Sequence, residues 1–335
     1  MSSSRFSLRE KGSPIFSVIV PVYNKGLYVS RAIQSILNQS FEDFEVIVVC
    51  DPSTDDSISK VEAFKDSRLS IFYRSEPGPG GYAARNLGIE KSEGEWVAFL
   101  DADDEWCPDH LSKMYNLSKS VPDVNFLSCA WEFVSNNGAE VNKFRKINNI
   151  DALKLSLSDY LSACLIGACP VHTNVACVRR KSVIGSEVFP ARSGAKRGGD
   201  LYAWLKLVCD NKQMAWSNHI GSRYFLGVEG QVVNTAPRGI QLFKEEMLAP
   251  LVKYFKKPEL IAFYKYIHKL LFGMVVSEKL KGREIDGVET VLNYRRDPLG
   301  AMRVFFVHRL VSPKILILLR AIKKNMFSRF RVRRK

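Results

Sequence analysis

From Phe16 onward, short apolar runs alternate with stretches of helical period. Phe16–Val20 reads as a buried strand ending at Pro21, and Tyr28–Gln39 places Val29, Ala32, Ile33, Ile36 and Leu37 on one face, the spacing of an amphipathic helix. Phe44–Val49 reads as a second strand, and Ser53-Thr-Asp-Asp56 supplies capping chemistry for a helix over Asp55–Lys65. Leu69–Tyr73 then predicts a third strand, Gly78–Gly81 a loop, Ala83–Lys91 a helix and Trp96–Leu100 a fourth strand. Strand–helix alternation of this kind predicts an α/β fold with a mostly parallel central sheet and flanking helices.

Beyond Asp104 the pattern is mixed. Asp109–Ser120 predicts a helix, and Asn125–Val134 an extended run ending in an Asn136-Asn-Gly138 turn. A helical patch spans Leu153–Leu165, a strand Asn174–Val178, a helix Asp200–Cys209 and a short strand Met214–Ser217. From about Ile240 the chain reads as helical. The expected organisation is a loose stretch over 1–14, one domain over 15–235 with halves 15–107 and 108–235, and a helical extension over 236–335.

The chemistry gathers where the apolar runs stop. Asp51 closes Glu45-Val-Ile-Val-Val-Cys50, and Asp101-Ala-Asp-Asp104 follows Trp96-Val-Ala-Phe-Leu100. Carboxylates there sit at the carboxyl ends of buried strands, where open α/β sheets bind ligands. Asp51 can accept from the imino N–H of a pyrimidine base, with Pro21 and Tyr23 as an apolar wall beside it. The Asp101–Asp104 cluster can hold a hard divalent cation against a diphosphate. Arg85 opens a helix after a Gly-rich loop, a position suited to phosphate or ribose oxygens.

Composition changes this picture little. Hydrophobic content of 46% with 25% charged residues is that of a globular chain. The net charge of +14 suggests nucleic acid until it is located: residues 301–335 hold eleven Lys or Arg and no acid, leaving +3 on the first 300 residues. A nucleic-acid partner is therefore not expected. Past Pro313, Ile315, Leu318, Leu319, Ile322, Met326 and Phe330 share a helical face opposite Arg320, Lys324 and Arg331, before Arg333-Arg-Lys335. That is the pattern of an interfacial helix on an anionic membrane surface, extended by Val304–Val307 and Leu310. The first 14 residues hold no apolar signal region, and no continuous apolar run approaches the ~20 residues of a spanning helix, so a cytoplasmic protein peripheral on the inner membrane is expected. Seven cysteines without framework spacing suit a reducing compartment. Cys164, Cys169, Cys177 and His172 match no zinc spacing, and the five histidines share none. No histidine is given a role, although His172 lies in the segment that would line the acceptor side.

Taken in order, Ser17-Val-Ile-Val-Pro-Val-Tyr-Asn24, Ala32-Ile-Gln-Ser-Ile-Leu-Asn-Gln39, Val48-Val-Cys-Asp-Pro-Ser-Thr-Asp55, Ala83-Ala-Arg-Asn-Leu-Gly88, Phe99-Leu-Asp-Ala-Asp-Asp104 and Gly198-Gly-Asp-Leu-Tyr-Ala-Trp-Leu205 resemble the inverting glycosyltransferases of family 2, of bacterial cell-surface polysaccharide type. The resemblance covers residues 15 to about 210. It implies a GT-A fold, a nucleotide-sugar donor (a UDP-sugar first), and a glycan or lipid-linked oligosaccharide acceptor. It implies Mn²⁺ or Mg²⁺ on Asp103 with Asp104 assisting, Asp101 on the ribose or metal shell, Asp51 on the base and Asp200 as catalytic base. Three positions depart from the family: Cys50 and Gly199 stand where it carries acidic residues, and Pro52 where it carries glycine. These departures keep open a non-catalytic sugar-nucleotide-binding relative. A processive synthase would carry spanning helices and a Gln-x-x-Arg-Trp motif, and neither is read here.

Overall fold

A computed structural model describes residues 12–228, 240–253 and 255–319. The chain forms two compact units, Met1–Ala236 and Pro237–Lys335.

The first unit opens with β1 (Phe16–Val22), α1 (Val29–Leu37), β2 (Phe44–Cys50), α2 (Ser57–Glu62), β3 (Leu69–Tyr73), α3 (Tyr82–Lys91) and β4 (Trp96–Phe99). It continues with β5 (Glu105–Trp106), α4 (His110–Ser120), the hairpin β6 (Phe126–Ser135) and β7 (Gly138–Val141), and α5 (Lys143–Ile147). Then come β8 (Leu153–Ser156), α6 (Leu157–Leu165), β9 (Cys177–Arg179), α7 (Gly199–Asn211) and β10 (Gln213–Phe225). The strands form one sheet in the order β3-β2-β1-β4-β9-β6-β10-β5, with β7 beside β6 and β8 beside β10.

One half of this sheet is regular. β1 pairs in parallel with β2 and β4, and β2 with β3. Val29, Ala32, Ile33 and Ile36 of α1 are buried against Val18, Val20, Val46 and Val48 in one apolar cluster. Strand β1 continues through Pro21 rather than ending there. The Ile15 and Ile19 carbonyls accept from Trp96 and Leu100 on the β4 side, so Pro21 lies on that edge just where β4 has ended and no donor is required.

The other half is mixed. β9 is antiparallel to β4 and β6, β10 is parallel to β6 but antiparallel to β5 and β8. Two expectations change here. Leu153–Ser156 is a strand, and the helix starts only at Leu157, where Ser156 and Asp159 form a capping box. The short strand expected at Met214–Ser217 is the first part of a 13-residue strand with register shifts between Ser217 and Ser222. Its second part is rich in polar residues and breaks the period-two pattern, which hides it from the sequence. Trp204 is 1% exposed among Phe99, Phe126 and Phe189, a core residue.

The second unit contains α8 (Glu245–Val252), α9 (Lys257–Leu280) and α10 (Pro298–Leu310), with residues 313–319 also helical. By length and composition α9 is long and apolar enough to cross a membrane, although lysines interrupt it. Phe263, Ile267, Leu271, Met274 and Val275 are nevertheless buried within the protein. His268 is fixed there: its Nε2 accepts from the Asn293 amide and its Nδ1 contacts Asp297, which caps α10. Val304 and Val307 point inward, whereas Phe305, Phe306 and Leu310 are exposed. The sequence reading of Arg320 to Lys335 lies outside the described residues.

Candidate active site

Each predicted donor-side carboxylate lies just past the end of a parallel strand, held by cations and amides from other elements. Asp51 follows β2 and is 2% exposed. Its amide donates to the Val22 carbonyl, Oδ1 pairs with the Arg74 guanidinium, and Oδ2 accepts from the Gly78 amide at 3.1 Å. Tyr23, 47% exposed, stands just beyond β1, two residues from Pro21. Cys50 is buried in the apolar cluster, and burial pushes its thiol up to about 11. The acid that the family carries there is replaced by a small core residue.

The Asp101–Asp104 turn follows β4. The Asp101 amide donates to Asn174 Oδ1 at 2.9 Å, and its carboxylate pairs with Arg85. Arg85, on α3, is 6% exposed, donates to the Gly80 carbonyl at 2.8 Å and lies over the Phe189 ring at 5.4 Å. Burial opposes its charge, but Asp101 and then Asp200 hold the guanidinium above its ordinary range. Asp103 Oδ2 lies 2.8 Å from Lys25 Nζ, and the Asp103 carbonyl accepts from Arg31 at 2.5 Å. Arg31 in turn lies 3.7 Å over the Phe225 ring.

Asp104 differs from its neighbours in its placement. It is fully buried: Oδ2 accepts from Asn174 Nδ2 at 2.5 Å, and Oδ1 from the Phe225 amide at 2.9 Å. Burial, reinforced by Asp103 and Asp101, holds its carboxyl well above the usual range. Asp104 braces the loop against β10.

Asp200 lies in the first turn of α7, after Gly198 at φ +90°. The adjacent glycine explains the second departure. The Gly199 amide donates to the Tyr82 hydroxyl at 2.9 Å, and a Cβ at 199 would lie 2.6 Å from the Tyr82 ring. Tyr82 fills the space that a side chain at 199 would need. Burial, with Asp200 next, pushes its phenol up to about 12.

The fold brings Asp200 to the acidic turn across two aromatic residues. His172 feels Asp101, Asp200 and Asp103, and burial still lowers its imidazole below the ordinary range. Burial raises the Tyr224 phenol, and Asp104, Asp101, Asp103 and Asp200 all add to the effect. The two rings meet edge to face at 4.9 Å. Carboxylates from β4 and α7, a guanidinium from α3 and a phenol from β10 thus share one electrostatic neighbourhood. Tyr82, Asn174 and Tyr224 were missed in the sequence. Tyr82 directly precedes the Ala83-Ala-Arg-Asn stretch, which is a usable signal; Asn174 and Tyr224 lie in no readable motif.

Residues 17–172 match the family model described as Glycosyl transferase family 2. The chain is 29% identical over 197 residues to UDP-Glc:alpha-D-GlcNAc-diphosphoundecaprenol beta-1,3-glucosyltransferase WfgD of Escherichia coli, covering 59% of this chain and 71% of that one. It spans only 42% and 13% of the length of two other curated glycosyltransferases, which it matches at 42% and 51% identity. Among solved structures, TarS of S. aureus superposes with a TM-score of 0.67 at 17% identity, over 87% of this chain and 52% of that one. The mannosyltransferase PcManGT of Pyrobaculum calidifontis, in complex with GDP-Man and Mn2+, superposes with a TM-score of 0.55 at 20% identity, over 96% of this chain and 83% of that one. At these identities the structures establish the fold, a GT-A architecture. By sequence, residues 17–172 match the family 2 glycosyltransferase domain.

Proposed function

We propose that the protein transfers a single sugar from a nucleoside diphosphate sugar, a UDP-sugar first, to a hydroxyl of a lipid-linked glycan, with inversion. The observation that carries this reading is the convergence of Asp200 with Asp101, Asp103 and Arg85 around His172 and Tyr224. Asp51 and the Pro21–Tyr23 wall take the base, and Arg85 takes ribose or phosphate oxygens. Asp200 accepts the acceptor's hydroxyl proton. The acceptor oxygen bonds to the anomeric carbon as the bond to the diphosphate oxygen breaks, and the nucleoside diphosphate leaves with that electron pair. The WfgD relative, named for a UDP-Glc donor and a diphosphoundecaprenol acceptor, supports both substrate classes.

Asp101 and Asp103 offer carboxylate oxygens, the ligands that a hard divalent cation takes, and Lys25, Arg31 and Arg85 beside them suit the diphosphate that such a cation accompanies. Mn²⁺ or Mg²⁺ held there would supply Lewis-acid stabilisation of the departing diphosphate. Lys25 on Asp103 neutralises the carboxylate and is placed to meet phosphate oxygens.

The second unit suits an anionic membrane surface. Leu299, Met302, Phe306 and Leu310 are exposed at 80%, 59%, 55% and 65%, and their spacing puts them on one stripe of α10. Arg303, Arg309 and Lys314 accompany them, each cation near such a surface contributing about 1 kcal/mol. A membrane contact would bring the enzyme to a lipid-linked acceptor on the cytoplasmic face.

The test is donor binding scored apart from transfer. UDP with Mn²⁺ should raise the melting temperature of the intact protein, and Asp103→Ala should remove the metal-dependent part. Asp200→Asn should keep the shift but lose transfer. No stabilisation by any nucleoside diphosphate with Mn²⁺ would overturn the reading. Liposomes carrying anionic lipid should pull down the full chain more than a Leu299→Glu/Phe306→Glu variant; equal recovery removes the membrane contact.

A further inference from the structure

The sequence assigned nothing to His110 and His219, yet the fold brings them together with Cys129 in the interior of the first unit. His110 and Cys129 are fully buried, and His219 is 8% exposed. Their donor atoms, one from each residue, all lie within 4.8 Å of one another. His110 Nδ1 is 3.4 Å from His219 Nε2 and 3.7 Å from Cys129 Sγ. Zinc bonds of the usual length at tetrahedral angles separate two nitrogens by about 3.3 Å, and nitrogen from sulfur by about 3.6 Å.

Two further features favour coordination. Ser217 Oγ donates to Asp151 Oδ1 at 2.6 Å and contacts His219 Nδ1 at 2.8 Å, so the hydroxyl accepts from Nδ1–H. That fixes the tautomer and leaves the Nε2 lone pair facing His110 and Cys129, as carboxylate-oriented histidine ligands require. The register shifts of β10 fall between Ser217 and Ser222, where they re-aim His219 inward. Gly221 completes the arrangement: a Cβ there would sit 2.3 Å from His110 Nδ1 and 2.5 Å from Cys129 Sγ. Only glycine leaves the donor atoms room.

We propose that His110, Cys129 and His219 form a buried zinc site, separate from the donor-site cation, that fastens α4 to β6 and β10. The N₂S donor set suits a borderline d-block cation and not Mg²⁺ or Ca²⁺. On binding, Cys129 gives its thiol proton to solvent and becomes the thiolate ligand, while any proton on His110 Nδ1 moves to Nε2. The site lies behind the acidic turn. The Trp106 ring packs 4.6 Å from that of His110, its Nε1 donates to the Asn174 carbonyl at 2.6 Å, and Asn174 holds both Asp101 and Asp104. The cation would therefore stiffen the support of that turn.

The full chain, produced with zinc and dialysed against EDTA, should retain about one zinc per chain by mass spectrometry. Asp103→Ala should retain the same amount, and Cys129→Ser should fall at least about tenfold, as expected for loss of a ligand or more. Unfolded wild-type protein refolded with Co²⁺ alone should develop thiolate-to-cobalt absorption, which requires no variant to fold. A wild-type protein that neither retains zinc nor gives the cobalt band overturns the proposal, as does zinc that survives in Cys129→Ser but is lost in Asp103→Ala. None of these readouts depends on glycosyl transfer, so failure here leaves the proposed function standing.

Discussion

The two halves of the sheet are built on different principles. Around β1 to β4, parallel strands are apolar on both faces, and every candidate donor group sits at a strand end or on the first turn of the following helix. Around β6, β9 and β10 the pairing is mixed, the longest strand is bulged, and polar side chains fill interior positions. The regular half fixes its chemistry by local geometry. The irregular half contributes single residues from distant segments: Asp200, His172, Asn174 and Tyr224. The candidate donor groups are thus local, and the groups proposed around Asp200 are assembled.

That contrast is sharpest where one residue from the irregular half is removed. Asp200→Asn is expected to lower transfer by about 10²–10⁴-fold with the nucleotide-induced melting shift unchanged, as for loss of a general base. Unchanged transfer would mean that the irregular half does not supply the base.

Acid should act on the irregular half first. In the metal-free protein His219, which ordinarily titrates near 6.5, is held down to about 4 by burial, with Lys113 adding to the effect and Asp109 and Asp151 opposing it. Because its folded value is depressed, the unfolded chain binds the proton first. Stability is full above about 6.5 and falls as pH drops toward about 4, by roughly 3 kcal/mol for this group. Chemical denaturation of wild type and His219→Gln between these limits checks it; equal pH slopes would break the expectation. His110 beside it is held well below its ordinary range and should steepen the loss.

At the seam between the halves, Gly199→Ala should cost about 1–3 kcal/mol, because its Cβ meets the Tyr82 ring. Combining it with Tyr82→Ala should recover part of that loss. Tyr82→Phe should cost least, about 1 kcal/mol, since it removes only the hydrogen bond from the Gly199 amide. Denaturant midpoints rank the three, and additive losses in the double variant would show that Tyr82 and position 199 do not compete for space.

Much of the regular half is legible in the chain. Strands β1 to β4 and the helices between them follow from apolar runs and helical spacing, and Asp51, Asp101 and Asp103 are marked by standing where those runs stop. The irregular half resists the same reading. Ser217, His219 and Ser222 occupy interior positions of β10, so no period-two signal survives, and Leu153–Ser156 becomes a strand only because β10 pairs with it.

Sequence by itself determined the ordered motifs, the parallel half and the carboxylates at its edge, because strand period and strand ends are local properties of the chain. Only tertiary structure decided that Asp104 is a brace, that Tyr82 requires glycine at 199, and that His110, Cys129 and His219 share one buried spot. Those outcomes depend on which atoms from distant segments compete for the same few ångströms, and spacing along the chain carries no record of that.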